Sequence, residues 1–192
     1  MLEIGPEWLD RFAREMLAES MALGLEQAIV AGTGVDQPVG MTKDLSKPVD
    51  PVTGYVDKTP QVIKDLTPKT IGNSIMAPMT NNGKVVVNPT NLLFIVNPLD
   101  YWTKLYSALA FRTPEGNYVF DRTSIGARIV QSTAIPQGRM LVGKAKDYFM
   151  GVSVAQKIAY SDEYRFLEDD RVYIVRMLAH GKPVSNTSFG IS

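Results

Sequence analysis

The 192-residue sequence contains no cysteine, which removes disulfide frameworks, thiolate zinc sites and thiol nucleophiles together and is the pattern expected of synthesis in a reducing cytoplasm. Histidine occurs once, at His180. A His-rich metal cluster is therefore excluded, and any Ser-His-Asp arrangement has to be built around that one residue. An excess of charge is missing too: Lys+Arg and Asp+Glu each number 20, for a formal net charge of +0. A balanced surface releases few counterions, so tight or sequence-specific nucleic-acid binding is not expected, nor is attraction to anionic lipid. No apolar run approaches the ~20 residues of a membrane-spanning helix, and the first residues, with Glu3 and Gly5-Pro6, lack the basic-then-apolar order of a secretion signal. Internal repeats and low-complexity tracts are also lacking. What is present is 45% apolar and 21% charged, enough for one or two compact domains with a real core.

Pro6 suits a first helical turn, and Leu9, Phe12, Ala13, Met16 and Leu17 follow at spacings of three and four, one face of a helix. The pattern runs through Leu23 and Ala28-Ile29-Val30 until Gly32 and Gly34 end it, giving a helix of roughly 25 residues, about 37 Å long. Residues 33–60 are rich in proline and glycine with little periodicity and read as an ordered or semi-ordered linker marking a boundary. A second helix is expected over 67–79, with Thr67 as N-cap, Pro68 first and Ile71, Ile75 and Met76 on one face. Thr80-Asn81-Asn82-Gly83-Lys84 is turn chemistry, and Val85-Val86-Val87 reads as a brief strand that Asn88-Pro89 breaks. The wholly apolar 92–96 suits a strand buried on both faces. Asn97-Pro98 then caps a helix to about Ala110 with Tyr101, Trp102, Leu105 and Leu109 as its stripe. After Gly116-Asn117, the pieces 129–130, 140–142, 152–154 and 172–175 read as strands of a mixed or antiparallel sheet. The fold class is α+β.

Four features invite a chemical reading. His180 sits at the end of an apolar run before Gly181-Lys182-Pro183 and reads as a structural residue at a strand end. The rival, a small hydrolase using His180 with Asp169 or Asp170, lacks a Gly-x-Ser-x-Gly elbow and any oxyanion motif. Gly32-Thr33-Gly34 resembles a phosphate loop, but a helix precedes it and Pro38 follows, so it reads as a helix C-cap and a tight turn. Asp162-Glu163 and Glu168-Asp169-Asp170 show no EF-hand spacing and read as a solvated edge, with Arg165, Arg171 and Arg176 beside them as a possible intersubunit ion-pair band. Tyr101-Trp102 reads as helix core rather than as a platform for bases. No catalytic, cofactor or metal residue is assigned.

Several stretches also fall together in a recognisable order: Ala28-Ile29-Val30-Ala31-Gly32-Thr33-Gly34-Val35-Asp36-Gln37-Pro38-Val39-Gly40 after the amphipathic helix, then Phe94-Ile95-Val96-Asn97-Pro98-Leu99-Asp100-Tyr101-Trp102. Thr113-Pro114-Glu115-Gly116-Asn117-Tyr118-Val119-Phe120 follows, then Ala134-Ile135-Pro136-Gln137-Gly138-Arg139-Met140-Leu141-Val142-Gly143, and the strand closing on His180-Gly181-Lys182-Pro183. This resembles the major capsid proteins of tailed bacteriophages, the Hong Kong ninety-seven type fold, in its C-terminal portion. An encapsulin, a cellular compartment shell of the same fold, is the near alternative.

The resemblance implies a long spine helix (1–35) and a sheet (151–176) in a peripheral domain, and a mixed-sheet axial domain from 36–150 to which the chain returns at 177–192. It implies a structural, non-enzymatic subunit without cofactor, made in the bacterial host cytoplasm and placed in an icosahedral phage or prophage shell around DNA. Its partners would be copies of itself in pentamers and hexamers, with scaffold, portal and prohead protease. The family's N-terminal arm and extended E-loop have no counterpart in this sequence, so the chain alone is expected to give monomers or small rings rather than closed shells. Some relatives form a Lys–Asn isopeptide cross-link. The stretch where the asparagine falls here reads Tyr164-Arg165-Phe166-Leu167-Glu168-Asp169-Asp170, without asparagine, so no such link is expected.

Overall fold

The computed structural model describes residues 6–63, 65, 67–106, 111–112, 114–116, 118–119, 126–165, 167 and 170–192. They divide into two compact units, Met1–Glu26 with Met150–His180, and Gln27–Phe149 with Gly181–Ser192. The expected first helix is present as α1, Pro6–Ala31, 26 residues long.

In the larger unit the end of α1 is capped by its own chain. The last carbonyls of a helix have no intrahelical donors, and here the backbone of 40–42 supplies them: Gly40 N–H donates to Gly32 O, Met41 to Ile29 O and Thr42 to Val30 O, at 2.8 to 3.1 Å. Such a close approach leaves no room for side chains. A Cβ on Gly40 would lie 2.6 Å from the nitrogen of Gly32, and one on Gly32 would collide with the carbonyl oxygen of Pro38. Gly34, with φ 86°, takes the left-handed conformation that the turn after the helix requires. The 33–60 segment is thus not a linker. It folds back as packed structure, with bridges Thr33↔Val39, Lys43↔Asp57 and Asp50↔Gly54 and with Val39, Met41, Thr42 and Lys43 buried. Proline and glycine here mark turns within a domain, and periodicity alone could not separate that from a linker.

The centre of this unit is a four-stranded sheet in the order β4-β1-β5-β8, made of β1 (Leu92–Val96), β4 (Arg128–Gln131), β5 (Met140–Lys144) and β8 (Phe189–Ile191). β1 runs parallel to β4, with Phe94 opposite Ile129, and antiparallel to β5, with Phe94 opposite Val142. A central strand is covered on both faces, which is why 92–96 has no polar residue. Leu92, Phe94 and Val96 face a core shared with Ile71, Ile75, Met79 and Tyr101. Leu93 and Ile95 face the other, with Val30, Met41, Ile135 and Phe189.

The helix expected over 67–79 is present, with a difference in its middle. Pro68–Thr70 and Ala77–Met79 are α-helical while Ile71–Met76 is a π-helix, and Ala77 N–H reaches back to Gly72 O. Pro78 has no N–H and its ring would crowd the carbonyl four residues earlier, so a wider turn just before it relieves both problems. Thr67 Oγ1 accepts from Thr70 N at 3.4 Å, as an N-cap does. Asn81 (φ 50°), Asn82 (φ 56°) and Gly83 (φ 79°) form the left-handed turn. The brief strand expected at Val85-Val86-Val87 is absent. Val85 N–H closes the turn onto Thr80 O, and Val86, 93% exposed, has no sheet to join.

Asn97 caps the next helix by accepting from Leu99 N, and it runs as Pro98–Asp100 and then a π-turn, Tyr101–Leu105; residues 107–110, where its end was expected, lie outside the described residues. Tyr101 is buried, but Trp102 is 59% exposed and is not part of the buried stripe. The π-turn is the reason, since it shifts the angular register that a regular 3.6-residue repeat assumes. β2 (Phe111–Arg112) and β3 (Tyr118–Val119) form a short antiparallel pair around Gly116.

Among the described residues β6 (Tyr148–Arg165) and β7 (Asp170–Pro183) form a two-stranded sheet of their own, so the strands expected as one sheet belong to separate sheets. Their connection is too short for a parallel crossover, which makes them a hairpin.

Candidate subunit-contact surfaces

In the smaller unit, α1 and the hairpin meet through polar and aromatic groups, with half-buried Met21 near Val175. Asp10 accepts from Arg14 Nε at 2.7 Å and from the Tyr173 hydroxyl at 2.7 Å. The Arg14 hydrogen bond, followed by that of Tyr173, holds the Asp10 carboxyl below the usual range. Arg171 lies 3.9 Å from Asp10, with its guanidinium 4.9 Å from the centre of the Tyr160 ring; Arg14 sits 5.6 Å from the same ring. Arg171, expected in an intersubunit band, makes these contacts within its own chain. The side chain of Arg165 lies outside the described residues, and Arg176 is exposed. The sequence reading missed the Asp10 network because its members are 163 residues apart in the Asp10–Tyr173 pair and no local pattern marks them.

The same unit contains none of the buried apolar side chains among the described residues, yet it exposes Trp8, Phe12, Met16, Leu23, Ile174 and Leu178. On β7 exposure alternates, with Ile174, Arg176, Leu178 and His180 on the open face. His180 thus sits on an exposed strand face, at a shallow groove shared with Ser153 and Val152. It makes no hydrogen bond to Ser153 or to a carboxylate among the described residues. Asp169 and the side chain of Asp170 lie outside them, as do Glu168 and the side chain of Asp162.

In the larger unit the motif residues brace one another. Asn97 Nδ2 donates to Ile135 O at 2.9 Å, joining the 94–102 stretch to the 134–143 stretch. Asp100 accepts from Lys104 Nζ at 2.6 Å and from Gly138 N–H at 2.5 Å, and those two bonds, the lysine's first, hold its carboxyl low against the opposing effect of burial. Val39 N–H donates to Gly181 O at 2.8 Å, and Tyr148 OH to Val39 O at 3.1 Å. A cleft of about 430 Å³ lies beside this brace, with Asp65, Asp100, Lys104 and Arg139 on its wall. Its charges of opposite sign are partly committed to each other, which suits a brace and not a reacting centre.

The C-terminal residues are tied down by Lys58, whose Nζ donates to Asn186 O and Phe189 O at 2.6 Å each. Burial pushes this amine down to about 8, opposed by the nearby Asp44. No sequence signal distinguishes Lys58 from other loop lysines. Outward from the brace, Trp102 packs edge-on to Tyr101 (5.1 Å between ring centres) and against Tyr106 (5.1 Å), leaving an exposed aromatic ledge. Among the described residues no group of three or more His, Asp or Glu is placed to hold a metal ion, and no helix is long and apolar enough to cross a membrane.

Braces, caps and apolar faces left open are the features of a building block, and the comparison with known families agrees. The profile of the Phage capsid family matches residues 7–191. The chain belongs to the phage capsid family. It is similar in structure to "Capsid of native GTA particle computed with C5 symmetry", with a TM-score of 0.64 and 11% identity over 99% of this chain and 67% of that one. The capsid of Cyanophage P-SCSP1u gives 0.55 and 11% over 95% and 64%, and a structure titled Mycobacterium phage Che8 gives 0.51 and 13% over 97% and 62%. At such identities the likeness is one of fold. The capsid-family chain spans about two thirds of the length of the structures it matches. No curated protein matches it by sequence. The α+β capsid fold expected from the sequence is the fold observed, in a structural family; neither the compartment alternative nor the hydrolase is favoured.

Proposed function

We propose that this capsid-family chain works as a shell subunit that self-associates, through pentamers and hexamers, into an icosahedral particle enclosing phage or prophage DNA, without turnover chemistry or cofactor. The observation that carries the reading is the smaller unit: a long helix and a long hairpin with open apolar faces and no fully buried apolar side chain among the described residues. Such a region gains stability when copies pack against it. We assign it to the peripheral domain and the larger unit, with its mixed sheet, to the axial domain. The exposed turn and valines at 80–87 then lie at the axial tip, where neighbouring copies cover Val85 and Val86. Scaffold, portal and prohead protease are the partners this role implies, with synthesis in the host cytoplasm and final residence in the virion. Balanced charge supports DNA containment without tight DNA binding.

The test is negative-stain microscopy and sedimentation of the complete open reading frame that contains this chain. Capsomer rings or closed shells are expected, and they should be lost on Trp102→Ala or Val86→Asp with the monomer still folded. A protein that stays monomeric at high concentration with its assembly partners present contradicts the proposal.

A further inference from the structure

Two faces of the smaller unit carry one pattern with opposite charge. At about 100° per residue, Trp8, Phe12, Met16, Glu19 and Leu23 fall on one exposed stripe of α1, on the side away from the half-buried Asp10, Arg14, Leu17 and Met21. Glu19 lies between Met16 and Leu23 and has no side-chain partner among the described residues. On the open face of β7, Arg176 lies between Ile174 and Leu178; all three are exposed, and Arg176 likewise has no partner among the described residues. The spacings match. Along the helix the carboxylate stands about 4.5 and 6 Å from its apolar neighbours, and along the strand the guanidinium stands about 6.6 Å from each of its own. Towards its N-terminus the helix stripe continues into Trp8 and Phe12, whose rings are stacked with centres 5.3 Å apart, a flat surface that loses little side-chain freedom on contact.

We propose that the outward stripe of α1 packs on the open face of β7 in a second copy of this chain, with Glu19 answering Arg176 while the apolar residues on either side of them cover one another. The contact cannot form within one chain. Asp10 of α1 bonds to Tyr173, and alternation along a strand places Tyr173 on the face opposite Ile174, Arg176 and Leu178. Charge selects this pairing over contacts between like faces. Two α1 stripes would bring Glu19 against a helix whose arginines are already held, Arg11 by Glu15 and Arg14 by Asp10, and two β7 faces would enclose Arg176 twice. Because the two faces differ, the contact is heterologous: each copy keeps one face free for the next, and the chain of contacts closes into a ring where the rotation permits. The inference rests on the proposed self-association and names the surfaces of one of its contacts.

The test uses the intact chain, which has no cysteine of its own. Met16→Cys and Ile174→Cys proteins are treated with a flexible bis-maleimide, separately and as an equal mixture. The expected result is cross-linked dimer in the mixture at about fivefold or more the yield of either protein alone. Adding Glu19→Arg to the Met16→Cys protein should remove that excess, and adding Arg176→Glu to its Ile174→Cys partner should restore it, as a double-mutant cycle requires of a direct pair. All four sites are exposed, so circular dichroism should match the wild type. Equal yields from the mixture and the separate proteins, or indifference to Glu19→Arg, overturn the contact. The same charge reversals in the complete open reading frame separate this inference from the reading it rests on. Shells that form regardless of Glu19→Arg and Arg176→Glu overturn the contact and leave the shell proposal standing, whereas a cross-link that obeys the cycle in a protein that builds no shell supports the contact alone.

Discussion

The two units of the chain invest their apolar residues in opposite ways. The unit of 27–149 and 181–192 contains all the buried apolar side chains among the described residues, arranged on both faces of a central strand. The unit of 1–26 and 150–180 is held by Asp10, Arg14, Tyr160, Arg171 and Tyr173, and leaves aromatic and aliphatic groups in water. An isolated hairpin is marginal in water, and one helix on one face adds little when the ion pairs at their contact are only half-buried. The difference teaches that one unit supplies the buried core of the folded chain, while the other, on the proposed function, is the surface left for neighbours.

The sharpest way to break this comparison is a matched pair of truncations. Phe94→Ala empties a site only 2% exposed and is expected to cost about 3–5 kcal/mol, whereas Phe12→Ala, 46% exposed, should stay within about 0.5 kcal/mol. Urea denaturation of both variants measures the contrast, and comparable losses would dissolve it. Gly40→Ala comes next. A methyl group 2.6 Å from the Gly32 nitrogen forces the 40–42 backbone off the end of α1, and a loss of about 1–3 kcal/mol is expected, whereas Gly24→Ala, with open space around its Cβ position, should stabilise the helix by about 0.5–1 kcal/mol.

Titration sharpens the contrast further. Lys58, in the larger unit, has its folded value lowered to about 8 from 10.5. Between those values the unfolded chain binds more protons, so stability rises with pH across that window. Thermal melts from pH 7 to 10.5 should show this rise, and Lys58→Met should remove it. Asp10, in the smaller unit, has a dependence of the same sign in the acid range. Its folded value is depressed below 3.8, so its contribution is present above that pH and fades as pH falls through the folded value. Acid should release the Tyr173 hydroxyl in the wild type, and Asp10→Asn should make the tyrosine signal insensitive to that step.

Sequence patterns carried α1, both helix caps, the Asn-Asn-Gly turn and the buried strand 92–96, because each depends on residues close together in the chain. The 33–60 segment was misread because its order comes from backbone pairing to the end of α1, which composition does not encode. Trp102 was misplaced by a π-turn that no spacing rule anticipates, and the brief strand at 85–87 failed for want of a partner. The contact surfaces were less legible than the fold. Trp8, Phe12 and Met16 fall at helical spacing, but spacing alone cannot say whether a stripe faces its own chain or another.

Native-state hydrogen exchange on the isolated monomer tests the central claim most directly, since it measures the opening free energy of each unit in one experiment. Amides of β1 and β5 should exchange only by global unfolding, while those of β6 and β7 should exchange through local opening at much lower free energy. Equal protection of β6, β7, β1 and β5 in a lone chain would show that the smaller unit needs no neighbours, and would contradict the account.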